Sequence, residues 1–230
     1  MENLTKLENT LIISFRSKSL LQQAFVHRSY LNENRDLHLE HNERLEFLGD
    51  AVLELVVTEH LYREYPDRTE GELTAWRAAL VNSKRLSSIG RELHFNTYLM
   101  LSRGEAKEEG KARDYILANT VEAFIGALYL DQGLKFAEKF ITTYILSKLP
   151  EVLQDKLFVD SKSRFQELAQ EKEGITPTYI VLKEWGPDHA KHFRIGVYLE
   201  KELAAEGEGS SKQEAEQEAA KNALTEKNWE

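Results

Sequence analysis

From the N-terminus to about Leu149, apolar residues recur at the three-to-four-residue spacing of helices with one buried face. Proline and glycine are sparse in this stretch, and no alternating run is long enough for a strand. The pattern predicts an all-α region with helices over about 3–14, 18–29, 40–64, 70–93, 113–131 and 134–148. Pro66 and Gly71 bracket one loop, Gly104 to Gly110 mark a second, charged one, and Pro150 begins the exit from the region.

The pattern changes after Asp160. A helical stretch from Ser161 to Glu173 precedes three β-branched and aromatic segments: Thr178 to Leu182, His192 to Leu199, and Leu203 to Glu206. Turn residues Gly186-Pro187-Asp188 and the tight Glu200-Lys201 connection separate them. A run rich in Ala, Glu, Gln and Lys from Ser211 to Leu224 predicts a last helix. The order is α-β-β-β-α, enough for a small three-stranded sheet with both helices on one face. The expected division is an all-α domain over 1–150, a linker over 151–159 and an α+β domain over 160–228.

Composition narrows the classes. The chain has 230 residues, 41% of them hydrophobic and 30% charged, which suits one good core plus a small second one. No run approaches the roughly 18–20 apolar residues of a membrane helix, and Met1-Glu2-Asn3 lacks the opening of a signal peptide. A soluble, cytoplasmic protein with no membrane partner is expected. Zero cysteines exclude disulfides, thiolate metal sites and cysteine nucleophiles. Any metal must be held by oxygen or histidine. The net charge of −9 opposes long-range attraction to nucleic acid. Both regions share the deficit, about −5 over residues 1–155 and −4 over 156–230, so a nucleic-acid reading has to rest on where particular charges sit.

The segment from His41 to Leu55 carries the strongest chemistry. Glu46 and Asp50 are four residues apart, with Glu43 three before Glu46, so all three share one edge of a helix. Leu45, Phe47, Leu48, Val52, Leu53 and Leu55 make most other sides apolar. Crowded, desolvated carboxylates cost several kcal/mol unless compensated, and a divalent cation compensates them. A second apolar helix offers Asn119 and Glu122 three apart, with Ala118, Ala123, Gly126 and Ala127 permitting close approach. Glu46, Asp50, Asn119 and Glu122 would form an all-oxygen set suited to Mg²⁺ or Mn²⁺ and to metal-assisted hydrolysis at phosphorus. The competing reading is a solvated acidic helix edge.

Asn42-Glu43-Arg44-Leu45-Glu46-Phe47-Leu48-Gly49-Asp50 resembles the signature of the ribonuclease III family. The resemblance extends to Leu20 through Tyr30, Glu70 to Leu73, Arg77 to Val81, Ile116 to Gly126, Tyr129 to Gly133 and the C-terminal region. It implies a homodimeric, Mg²⁺-dependent endonuclease of rRNA and mRNA processing. Such an enzyme cuts both strands of double-stranded RNA, leaving 5′-phosphate and 3′-hydroxyl ends with a short 3′ overhang. It further implies that Glu46 and Glu122 are metal ligands and that Asp50 lies at the catalytic centre. Glu43, Glu70 and Asp114 match supporting acidic positions, and Phe47 matches an aromatic that packs into the partner subunit. The family usually has Asp where this chain has Asn119. Asn keeps a coordinating carbonyl oxygen but removes a charge, so a higher Mg²⁺ requirement is expected than for Asn119→Asp.

Gly209 to Glu216 and the α-β-β-β-α order resemble the double-stranded-RNA-binding domain. The free N–H groups of the last helix, beginning at Ser211, and the charge of Lys212 attract an anion whatever the family. Recognition of this kind reads A-form shape and 2′-hydroxyls. Gln166, Glu167 and His189 match the family's minor-groove contacts. Where the family often has two or three basic residues, this chain has only Lys212, followed by Gln213 and Glu214.

Other features carry less. His38 and His41 lack a third ligand at zinc-like spacing. The glycines of Gly104 to Gly110 follow no strand and precede no Gly-Lys-Ser/Thr, so no nucleotide cofactor is expected. Trp76, Trp185 and Trp229 lack the interleaving with basic residues that would mark a single-strand stacking platform. Two rivals stay open: a double-stranded-RNA-binding protein whose cleavage Asn119 has weakened, and a helical scaffold with no RNA role.

Overall fold

The computed structural model describes residues 2–107, 109–154, 161–187 and 191–229. The chain divides into two compact units, 1–158 and 159–230.

The first unit is helical. Its elements are α1 (Glu2–Leu11), α2 (Lys18–Ala24), α3 (Arg28–Glu33), α4 (Glu43–Glu64), α5 (Glu70–Val81), α6 (Ser83–Glu92), α7 (Lys111–Gln132), α8 (Leu134–Tyr144) and α9 (Leu149–Gln154), with short 3₁₀ turns between some of them. Helices α4 and α7 are the longest, at 22 residues each, and both are apolar on most sides, as suits helices packed from several directions. Phe124 of α7 anchors the core: the rings of Phe140, Phe95, Phe15 and Phe25 stand 5.0, 5.2, 5.6 and 6.3 Å from it.

Two expected helices are broken. The segment 18–29 stops at Ala24, because Val26 bridges to Met100 and its carbonyl accepts from the Asn42 amide. The segment 70–93 divides at Asn82, which is extended (φ −66°, ψ 156°) and whose side chain caps α6 by accepting from the Arg85 N–H. Beyond Pro150 the chain stays helical to Gln154, with Val152 buried in the first core and Glu151 paired with Arg85.

The second unit runs α10 (Ser161–Glu173), β1 (Thr178–Trp185), β2 (His192–Leu199), β3 (Glu202–Gly209) and α11 (Lys212–Glu226). The sheet is antiparallel in the order β1-β2-β3. Both helices share one core with one face of it: Phe165, Leu168 and Ala169 from α10, Ala219, Ala220 and Ala223 from α11, and Val197, Leu199 and Ala205 from the strands. This is an all-α unit followed by an α+β unit, as the sequence pattern predicts.

Candidate active site

The site is built where α4 crosses α7. A Cβ placed on Gly49 would stand 1.7 Å from the Glu122 carbonyl oxygen, and one on Gly126 would stand 2.2 Å from that of Leu45. No side chain fits either position, so the two backbones touch. That contact brings Glu46 and Asp50 of α4 within electrostatic reach of Glu122 of α7, and Asn119 of α7 within hydrogen-bonding reach of Glu46. Glu46 and Glu122 are half-buried, Asn119 is partly buried beside them, and Asp50 is exposed at the edge.

The electrostatics report the crowding. Burial pushes the Glu122 carboxyl up to about 8, with the charges of Asp50 and Glu46 adding to the shift. Glu46 is raised by burial first and by Glu43 and Asp50 as well, while the Asn119 amide donating to it pulls the other way. At neutral pH the free protein therefore holds a proton on Glu122. Among the described residues, no three acidic or histidine side chains are arranged to hold a metal ion by themselves. An all-oxygen donor set, crowded and partly desolvated, still fits a hard divalent ion.

The remaining acids are placed differently from one another. Glu43 sits beside Glu46 and faces Arg28 Nη1 at 3.8 Å and His41 Nδ1 at 3.6 Å. Asp114, in the first turn of α7, is engaged by Arg91 of α6. Glu70 accepts from Thr74 Oγ1 and lines a cavity with Thr58, Leu61 and Tyr62 of the far half of α4. That is roughly 12–18 Å along the helix axis from Asp50 at 1.5 Å per residue. Within one chain, Glu70 and Asp114 do not join the four-residue group. Phe47 is 81% exposed on α4.

Two residues with no spacing signal border the site. His27 caps α3, its Nδ1 accepting from the Ser29 N–H. Burial lowers its pKa, against the opposing charges of Glu105 and then Glu43. Only the folded chain brings His27 near both Glu105 and Glu43, so no residue spacing announces the group.

In the second unit Gln166 and Glu167 are exposed on α10, and Glu167 lies 3.9 Å from Arg164. Ser211 is the N-cap of α11, its hydroxyl accepting from the Glu214 N–H. Lys212 Nζ stands 3.6 Å from Glu184. His189 lies outside the described residues.

Fold and site together define a class: a helical domain with acidic side chains beside a glycine-mediated helix crossing, followed by an α-β-β-β-α domain. Residues 17–149 match the family model described as Ribonuclease-III-like, and residues 161–227 match the double-stranded RNA binding motif. Proteins named Ribonuclease 3 from Pelotomaculum thermopropionicum and Streptococcus mutans are 46% and 45% identical, over 97% and 95% of this chain and 92% and 94% of their own. The nuclease domain of ribonuclease III from Campylobacter jejuni covers 65% of this chain and 98% of its own, at 39% identity and a TM-score of 0.58. A second structure of that domain, with TM-score 0.57, 39% identity and coverage of 63% and 97%, is described by flexibility in a region involved in dimer formation. The chain belongs to the ribonuclease III family of endoribonucleases. Among the described residues no helix is long and apolar enough to cross a membrane.

Proposed function

We propose that the protein is a homodimeric endonuclease that uses Mg²⁺, with Mn²⁺ as a substitute, to cut both strands of double-stranded RNA in the cytoplasm. Its products carry 5′-phosphate and 3′-hydroxyl ends with a short 3′ overhang, and its work is the processing of rRNA and mRNA precursors. One observation supports the reading: at the α4–α7 crossing the charges of Asp50 and Glu46 add to burial in raising the Glu122 carboxyl, and the Asn119 amide donates to Glu46.

Glu46, Asp50, Asn119 and Glu122 would hold the ion. When bound, it supplies Lewis acidity to the scissile phosphate and lowers the pKa of an attacking water. Glu122 gives up its proton on loading, so below about pH 8 ion binding competes with that proton. Asn119 contributes an oxygen without a charge. Glu43, held between Arg28 and His41, adds negative potential at the edge of the group.

The second copy is argued from α4. Phe47, Ala51, Leu55, Thr58 and Tyr62 form one exposed stripe, with Phe47, Leu55 and Tyr62 exposed by 81, 56 and 74%. Antiparallel pairing about a two-fold axis at Glu54 and Leu55 sets each Phe47 against the partner's Tyr62, and each Ala51 against the partner's Thr58, an isologous match. A cavity of about 630 Å³ lined by Leu61, Tyr62, Tyr65, Pro66 and Leu73 then receives the partner's Phe47. The same pairing carries Glu70, on the rim of that cavity, toward the partner's acidic group.

Incubation of long duplex RNA with Mg²⁺, followed by a denaturing gel beside Glu122→Ala, tests the proposal. Short products from the unmodified chain and none from the variant are expected. Intact RNA in both lanes, with duplex binding retained, would establish the second reading, a binding protein without cleavage, which Asn119 favours.

A further inference from the structure

A row of residues crosses the three strands of the second unit. Glu184 on β1 pairs with Phe193 on β2, and Phe193 with Gly209 on β3. Cross-strand partners share a face of the sheet. Gly209 leads through Ser210 and Ser211 into α11, packed so tightly that a Cβ there would stand 2.6 Å from the Ala215 amide nitrogen. Glu184 is thereby aimed at the start of α11. Its carboxylate lies 3.6 Å from Lys212 Nζ and 4.0 Å from Lys191 Nζ. Lys212 Nζ also stands 5.6 Å from the centre of the Phe193 ring, in the middle of the row.

An irregularity in β1 creates this aim. The pairing slips by one residue between Val181 and Lys183, and a slip of one exchanges the faces of everything beyond it. Lys183 consequently pairs with Arg194 on the outer face, where Arg194 is bonded to Glu208, and Glu184 takes the helix side. In a regular strand Lys183 would stand opposite Phe193. The bulge at Leu182 puts an acid where the unbroken register would put a base.

We propose that Glu184 sets the duplex-RNA affinity of this domain: it neutralises Lys212 in the free protein and competes with phosphate for it. The inference rests on the RNA-binding reading above. Lys212 is the one cation in the first turn of α11, and Glu214 of the same turn already takes the Ser210 N–H and hydroxyl. An exposed ion pair contributes little to folding, so removing the Glu184 charge leaves the domain intact. An arriving phosphate must share Lys212 with that charge. Its removal, a few ångströms away in solvent-accessible surroundings, is worth about fivefold in affinity, and the extra phosphate contact steepens the salt dependence.

The test is equilibrium binding of the full chain to a blunt RNA duplex in EDTA, across a salt series, for the unmodified protein, Glu184→Gln, Lys212→Gln and the double variant. Tighter binding by Glu184→Gln at low salt, shrinking as salt rises and vanishing in the Lys212→Gln background, is expected. Equal or weaker binding by Glu184→Gln, or an equal gain with and without Lys212, would overturn the proposal. Failure of the unmodified chain to bind duplex at any salt would instead sink the RNA-binding reading, and the inference with it.

Discussion

The α4–α7 crossing and the start of α11 solve opposite electrostatic problems. At the crossing, burial and the charges of Asp50 and Glu46 together raise the Glu122 carboxyl to about 8. At the start of α11 the charges are paired instead: Lys212 and Lys191 lean on Glu184, and Glu214 caps the turn. The first region is frustrated until something positive arrives, and the second is satisfied until something negative displaces its partner. A protein of net charge −9 can meet a polyanion in this way, because neither region depends on long-range attraction. The energy comes from exchanging local partners.

Glu122→Gln breaks the comparison most severely. Loss of one ligand is expected to lower cleavage by at least about a hundredfold, the scale of removing a principal electrostatic contact at a reacting centre, while duplex binding in EDTA stays unchanged. The same variant should stabilise the metal-free fold. A carboxyl raised from 4.5 to about 8 contributes stability that is lost as pH climbs between those values, since the unfolded chain releases its proton first. Allowing for solvent screening, Glu122→Gln should gain about 1–2 kcal/mol at pH 7. Its denaturation profile should also lose much of the decline expected of the unmodified chain from pH 5 to pH 8; an unchanged profile would place the proton elsewhere.

Phe47→Glu tests whether the crossing needs a second copy that the α11 region does not. A buried aromatic anchor is worth about 2 kcal/mol or more, so dimerisation should weaken at least roughly thirtyfold by sedimentation equilibrium. Cleavage should fall with it, and affinity for a short duplex carrying one binding site should hold. A dimer of unaltered strength would refute the α4 stripe as the interface.

Asn119→Asp sharpens the frustrated region. One more charge beside Glu46 and Glu122 should lower the Mg²⁺ concentration for half-maximal cleavage by about fivefold or more, the effect of a unit charge at about 4 Å in water. It should also raise the Glu122 pKa further, which proton release during Mg²⁺ titration at pH 7 would register. Equal Mg²⁺ dependence in the two proteins would count against Asn119 as a ligand.

The smallest effect concerns neither region and serves as a control. Ile12 ends α1 at φ 56°, with the Ile13 N–H bonded to the Glu8 carbonyl, a helix-end geometry that favours glycine. It is 88% exposed, so its side chain contributes little packing. Ile12→Gly should raise stability by about 0.5–1 kcal/mol and leave cleavage and duplex binding as they were.

Much of this was legible in the chain. The spacing of Glu46 to Asp50 and Asn119 to Glu122, in two helices apolar on most sides, identifies the candidate group because helical periodicity is a local property. The small residues of α7 announce a close neighbour for the same reason. The breaks at Ala24 and Asn82 were hidden, since the first answers to the Val26–Met100 bridge and the second to a cap, either of which outweighs a continuous apolar period. Asp114 and Glu70 match supporting acidic positions by resemblance, and in the fold Arg91 pairs with the first while the second lines a cavity with the far half of α4.

The sequence by itself determined the order of elements, the two domains' classes and the residue types of the cluster, because period, turn chemistry and composition act over a few residues. Tertiary structure alone decided which acids meet, that His27 lies near both Glu105 and Glu43, and that Glu184 rather than Lys183 faces α11. Those outcomes depend on contacts between distant segments and on a one-residue slip between strands, and no local pattern encodes either.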